Sequence, residues 1–165
     1  MARYDFKKAT IKIKDGTAPT PNELEITIGE GNLTLSEKHE REYLLDRGVL
    51  DTVRDGDESP LEVSLDAALE YFTGRGAHIT VGDAMLQRGM ASGWVSTDDD
   101  ACAPYAVDIE ITYLPTPSDC GDMEVVTLPD FRVESEDIDL RNATIAFSGK
   151  CNVITPTAVR TEQGS

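Results

Sequence analysis

Three observations on the sequence predict a mainly β fold in a single domain. Apolar residues recur with period two in several segments, turn residues break those segments at short intervals, and only one stretch carries helix signals. Short strands in this number, with one helix beside them, fit a two-sheet sandwich or a partial barrel with one short flanking helix. The 165 residues suit one domain with one sizeable core, and an apolar content of 39% excludes wholesale disorder.

Ala9–Lys14 alternates cleanly, until Asp15-Gly16 and the cluster Pro19, Pro21, Asn22 break it. Leu24, Ile26 and Ile28 form the next apolar face. Leu33 and Leu35 resume on the opposite parity, which predicts a bulge or turn at Gly29 and Gly31. Leu61, Val63, Leu65 and Ala67 make a further strand face. Val81 to Arg88 is the helix candidate, capped by Thr80 with Asp83 three residues on, and stopped by Gly89. The clearest strand places Tyr105, Val107, Ile109, Ile111 and Tyr113 on one face. A turn at Pro115–Gly121 leads to a partner at Glu124–Leu128, and Pro129 demotes the residues after it to an edge or a bend. Ala143, Ile145 and Phe147 open the last strand, with Gly149 at a bulge. The domain then spans 1–165, with a charged arm or loop at about 36–60 and a loose C-terminus at about 155–165.

Charge narrows the function. Fifteen Lys and Arg against thirty-one Asp and Glu give a net charge of −16. Such a surface repels phosphates, so a nucleic-acid-binding module is excluded, whereas a protein that contacts DNA without holding it is not. Solubility alone also explains an acidic surface. No segment is apolar and long enough to span a bilayer, and the charged N-terminus lacks the core of a signal peptide, so folding in a cytoplasm is expected.

Catalytic constellations are absent from the sequence. His39 and His78 have no second histidine at ligand spacing, and no nucleophile elbow, phosphate loop or dinucleotide fingerprint occurs. The expectation is a non-enzyme with no cofactor. Asp55-Gly56-Asp57-Glu58 and Asp98-Asp99-Asp100 miss the register of a calcium loop and read as charged turns. Cys102, Cys120 and Cys151 lack metal spacing and read as thiols in a reducing compartment, with a disulfide or a three-thiolate site as the alternatives. Trp94 reads as core or interface.

Several stretches, spread over nearly the whole chain, carry a resemblance. They are Tyr4-Asp5-Phe6 through Ile11, Asn22 through Leu33, Arg47-Gly48 with Leu50–Asp57, and Pro60 before the Leu61–Leu65 strand. Ala103-Pro104-Tyr105, Leu128–Arg132 and Ser148–Asn152 belong to the same set. Together they resemble the major tail tube proteins of tailed bacteriophages. The resemblance implies a virion protein assembled in the host cytoplasm. Six copies close a ring, rings stack into a tube, and genome DNA passes through the lumen without specific binding. The implied partners are the chain itself, a tape-measure protein, a tail terminator and, in a contractile tail, a sheath. Other ring-forming parts fit the same fold: a terminator, a baseplate hub or a type VI secretion tube. A monomeric calcium- or carbohydrate-binding β-sandwich is the alternative of another class.

Within that frame an acidic inner wall lets DNA slide. The candidates for lining it are Glu62, Asp66, Asp108 and Glu110, each on the polar side of a strand, with the outer surface as their other possible location. Arg41, Arg47, Arg54, Asp55 and Asp57 are the candidates for contacts between rings.

Overall fold

The computed structural model describes residues 9–26, 32–71, 74–76, 78–113 and 123–161. The protein is mainly β with one short helix. Its strands are β1 (Thr10–Lys14), β2 (Glu23–Ile26), β3 (Leu33–Ser36), β4 (His39–Asp46), β5 (Val49–Glu58), β6 (Leu61–Ala68), β7 (Val107–Tyr113), β8 (Met123–Asp139), β9 (Thr144–Cys151) and β10 (Thr157–Thr161). The helix is α1 (Val81–Leu86), followed by a 3-10 turn at Gly89–Ala91. Eight strands form one antiparallel sheet in the order β2-β1-β7-β8-β9-β6-β3, with β10 also paired to β8. β4 and β5 form a separate two-stranded sheet.

The large sheet is organised by β8. Its first part pairs with β7 on one side and with β10 on the other. Its second part, from Phe131 onward, pairs with β9. The change falls at Pro129-Asp130, where the pairing with β7 slips and Asp130 adopts a positive φ of 51°. A proline has no N–H to give, so a ladder tolerates it at such an irregularity. Two halves result, one carrying β1, β2, β7 and β10, the other β3, β6 and β9. Ile11, Ile13, Ile109 and Ile111 from the first half and Leu61, Val63, Leu65, Phe147 and Cys151 from the second share one core. The sheet bends round that core without closing into a barrel. The expected two sheets are present as one large antiparallel sheet and the two-stranded β4–β5 hairpin.

A second irregularity in β8 lies between Val133 and Ser135, opposite Gly149 of β9. A Cβ on Gly149 would stand 2.0 Å from the Arg132 carbonyl oxygen and 3.0 Å from the Phe131 ring. Glycine is needed there because the β8 backbone comes too close for a side chain.

Helix α1 has the expected start, with Thr80 Oγ1 accepting from the Asp83 N–H at 3.1 Å. It ends earlier than expected, at Gln87, which takes the left-handed conformation (φ 52°) that sequence reasoning assigns to Gly89. The helix joins the core through Ala84 and Met85, and the Tyr105 hydroxyl donates to the Ala84 carbonyl. Asp15 is buried and fastens the loop after β1. Its carboxylate accepts from the N–H groups of Thr17, Asn22 and Val95, from the Thr17 hydroxyl and from the Asn22 amide. Burial pushes the Asp15 carboxyl up, but these hydrogen bonds outweigh it and hold the group below its usual range.

Two expectations change. The C-terminal stretch is not loose over its first part, since Thr157–Thr161 extends the β9 side of β8 as β10. After Pro129 the chain bends as expected, and β8 continues to Asp139. The charged arm is an ordered hairpin, β4–β5. Ile28, the glycine irregularity at 29–31, the turn at 115–121, Cys120 and the Tyr4-Asp5-Phe6 stretch lie outside the described residues. Replacing Gly149 with Ala should cost roughly 1–3 kcal/mol from overpacking against backbone. Gly93→Ala, where a Cβ meets nothing within 4 Å, should cost far less. Thermal melting of both variants checks the difference, and equal melting temperatures would contradict the close approach.

Candidate assembly interface

The β4–β5 hairpin projects from the body. Its turn is Arg47-Gly48, with φ of 52° and 79°. Positive φ at both turn residues is the two-residue geometry that matches strand twist, and glycine takes the second place without strain. Beyond the turn, Leu45 pairs with Leu50 and Tyr43 with Val53, so these four side chains share one face. Leu44 pairs with Thr52 on the other face, and the register shifts between Leu44 and Leu45. Cross-strand ion pairs join Arg41 to Asp55 at 3.1 Å and Arg54 to Glu42 at 2.6 Å. Both are exposed, and such pairs contribute only about 0–1 kcal/mol.

The apolar side chains of this hairpin are left in water. Tyr43 is 61% exposed, Leu45 62%, Val49 69%, Leu50 70% and Val53 54%. Among the described residues β4 and β5 pair with each other and with no strand of the large sheet. A two-stranded hairpin is marginally stable in water unless something packs on it. Of the expected inter-ring residues, Arg41 and Asp55 pair with each other and Arg54 pairs with Glu42, all within the hairpin. Arg47 stands at the tip with no ion pair among the described residues, and Asp57 lies near the base of β5.

Sequence reasoning saw the charges of this segment and missed its apolar face. The signal was present: Tyr43 and Leu45 alternate ahead of Asp46-Arg47-Gly48, and Val49-Leu50 follows at once. The dense charges around them hid a hairpin of period two.

The lumen candidates divide into two places. Glu62 and Asp66 lie on the face of β6 away from the core, beside Ser148 and Lys150 of β9 and Thr34 and Ser36 of β3. Glu62 also meets Lys38 at 3.0 Å. This face is built of small and charged residues. Asp137 and Asp139 extend it on β8, opposite Ala146 and Thr144. Asp108 and Glu110 lie on β7, separated from β6 by β8 and β9. The structure does not bring the two pairs together. Glu110 is held by Lys14 at 2.7 Å. Asp108 is half-buried and accepts from the Asp130 N–H at 3.0 Å, at the bend in β8.

Two strand edges flank the small-residue face. Among the described residues β3 pairs only with β6, and β8 from Arg132 to Asp139 pairs only with β9. Open edges invite another strand, and the acids Glu134, Glu136, Asp137 and Asp139 along the β8 edge discourage indiscriminate pairing.

The remaining chemistry is scattered. His39 sits near the hairpin base, 3.4 Å from Glu37, while His78 lies against the Tyr71 ring. Asp98 turns its own loop and binds Arg132. Among the described residues no group of three or more His, Cys, Asp or Glu is placed to hold a metal ion. Cys102 is exposed and Cys151 buried, its thiol pushed up to about 12 by burial and by Asp108 and Asp130. Trp94 is in the core. Among the described residues no helix is long and apolar enough to cross a membrane. These features define an antiparallel β-protein with a projecting hairpin and open strand edges. The chain matches no protein-family model and no curated protein sequence.

Asp108 provides a pH test. Burial, with the charge of Asp130, raises its carboxyl above the usual range, against the opposing Asp130 N–H, Thr97 hydroxyl and Lys14. A raised native value means that stability is fully present below the ordinary carboxyl range, near ~4, and is lost as pH rises through the native value. Asp108→Asn keeps an acceptor oxygen and removes the charge. It should raise the melting temperature at pH 7, with the gain shrinking towards pH 3. A gain that is largest in acid would reverse the assignment.

Proposed function

We propose that this chain is a structural subunit that assembles with copies of itself into rings stacked as a tube, the role implied by the resemblance to phage tail tube proteins. The observation that carries the reading is the hairpin β4–β5, whose paired apolar residues stand exposed among the described residues. Exposed apolar surface on a projecting element stabilises an assembly at roughly 25 cal/mol per Å² once it is covered. The open edges of β3 and β8 support the same reading, because ring closure removes edges that would otherwise pair without control. Small, polar and mostly acidic residues on the β6–β9 face suit a wall past which a polyanion slides. Glu62 and Asp66 are the wall residues in this proposal. Asp108 and Glu110 serve the β7 region and the bend. The tube has no catalytic step, its partners are its own copies and the proteins that set tube length and end, and its place is the virion tail.

Negative-stain microscopy of the purified chain across a concentration range tests the proposal. Hollow rings or stacked tubes are expected. Leu45→Lys with Leu50→Asp should abolish them while leaving the stability of the dispersed chain within about 0.5 kcal/mol of its parent, since both side chains are already exposed and the new cross-strand pair is of opposite charge. Arg54→Glu, which sets two acids opposite each other in the hairpin, should weaken stacking in the same assay. Separate small particles at every concentration, with and without a tube-initiating complex, would overturn the reading.

A further inference from the structure

We infer that the hairpin tip of one copy seats in the groove beside helix α1 of the next copy, with Leu50 as the inserted side chain and Arg47 as its orienting charge. This deepens the assembly reading and rests on it. The groove lies where β2, the end of β6 and the start of α1 meet. Leu69, Ile79 and Ile145 form its apolar floor, Glu25, Glu70 and Tyr71 stand on its rim, and Arg88 and Glu136, which pair with each other at 3.0 Å, line it as well. The floor belongs to the main core, since Ile145 is buried and Leu69 and Ile79 pack against the same cluster. Tyr71 is 61% exposed.

Size selects the occupant. The cavity measures about 70 Å³. Sites for metabolites run to about 300–1,000 Å³. A space this small takes a single aliphatic side chain rather than a sugar or a nucleotide. Leu50, at 70% exposed, is the most exposed of the aliphatic side chains on the hairpin and sits two residues past its turn. It pairs with Leu45, so the inserted group arrives with a second apolar side chain beside it.

Charge selects the same partner. Glu25 and Glu70 have no ion pair among the described residues, and the hairpin's own cations Arg41 and Arg54 are already taken. Arg47, at the turn, is the hairpin arginine left over. One cation entering between two acids fixes the direction of entry, which charge pairs at a rim do better than they add affinity. The groove on the β3–β6–β9 face offers a poorer match: beside Leu35 and Val63 it is lined by Ser, Thr, Glu and Lys150, and its acids Glu62 and Glu134 are already paired with Lys38 and Lys150.

The tip does not fill the groove of its own chain, because Leu50 at the tip and Tyr71 on the rim both stand exposed. Donor and acceptor are thus different surfaces of one molecule. A contact of that kind repeats from copy to copy and builds rings or stacks rather than closed dimers.

Complementation between two impaired full-length variants tests this. Leu50→Asp disables the tip, and Tyr71→Asp disables the groove, with Glu70→Lys as a second groove variant at an exposed position. Melting temperatures establish that each is folded. Each variant alone should need at least about tenfold more protein than the parent before half of it sediments, a factor equivalent to ~1.4 kcal/mol. A mixture of Leu50→Asp with Tyr71→Asp should recover complexes containing both, because each pair of molecules then holds one intact tip and one intact groove. Mixing the two groove variants should recover nothing. If the parent assembles and the tip variant fails while both groove variants assemble like the parent, the groove is the wrong acceptor and the assembly reading stands. A complementary mixture no better than its components overturns the inference equally. A parent that never assembles removes the inference together with the reading beneath it.

Discussion

The bend in β8 sets the rest of the structure. A single strand cannot serve both halves of the sheet and stay straight, because the inner faces of the two halves must meet in one core. The chain meets this demand at Leu128–Phe131, where Pro129 removes a ladder donor and Asp130 takes a positive φ. Leu128 and Phe131 are buried on either side of the bend. Asp108 accepts the Asp130 N–H at 3.0 Å, so the backbone donor displaced from the ladder is still satisfied. Thr97 bonds the Asp130 carboxylate at 2.8 Å and ties the bend to the loop after the 3-10 turn. The cost is a half-buried carboxylate beside a second acid, a local strain that the surrounding core holds in place.

The body and the arm obey different physics. In the body, alternation buries every second residue, and dispersion and apolar burial over the shared core supply the stability. In the hairpin the same alternation buries nothing within the chain. Its strands are held by backbone hydrogen bonds, cross-strand pairs and two exposed ion pairs. Such an element keeps its shape through local geometry and its stability through whatever it touches next. That division of labour suits a part whose work lies between molecules.

Charge is distributed to match. The net −16 is not spread evenly in effect. Glu23, Glu110 and Glu136 are neutralised by Lys12, Lys14 and Arg88 on the body. Asp15 and Asp139 direct their charge at backbone N–H groups in turns. Other acids, on the β6 face, along the β8 edge and on the groove rim, remain available to repel a polyanion or to orient an incoming arginine.

Much of the fold was legible in the sequence. Period-two alternation identifies β1, β6, β7 and β9 because each has one face in the core and one in solvent, and that contrast is written residue by residue. Thr80 and Asp83 announce the helix start because capping is local chemistry. The candidate site was legible only as a charged segment: Arg41, Arg54 and Asp55 were marked for a neighbour, and their mutual pairing across the hairpin depends on a register set by the Arg47-Gly48 turn. Tertiary structure alone decided the rest. It made β10 a strand by laying it along β8, and it carried β8 past Pro129 because the bend gives a proline somewhere to sit. It also parted Asp108 and Glu110 from Glu62 and Asp66 by placing two strands between them. Sequence pattern records which side of a strand meets water. Which strands lie beside one another, and which exposed faces are left for another molecule, is settled by long-range pairing that no local pattern encodes.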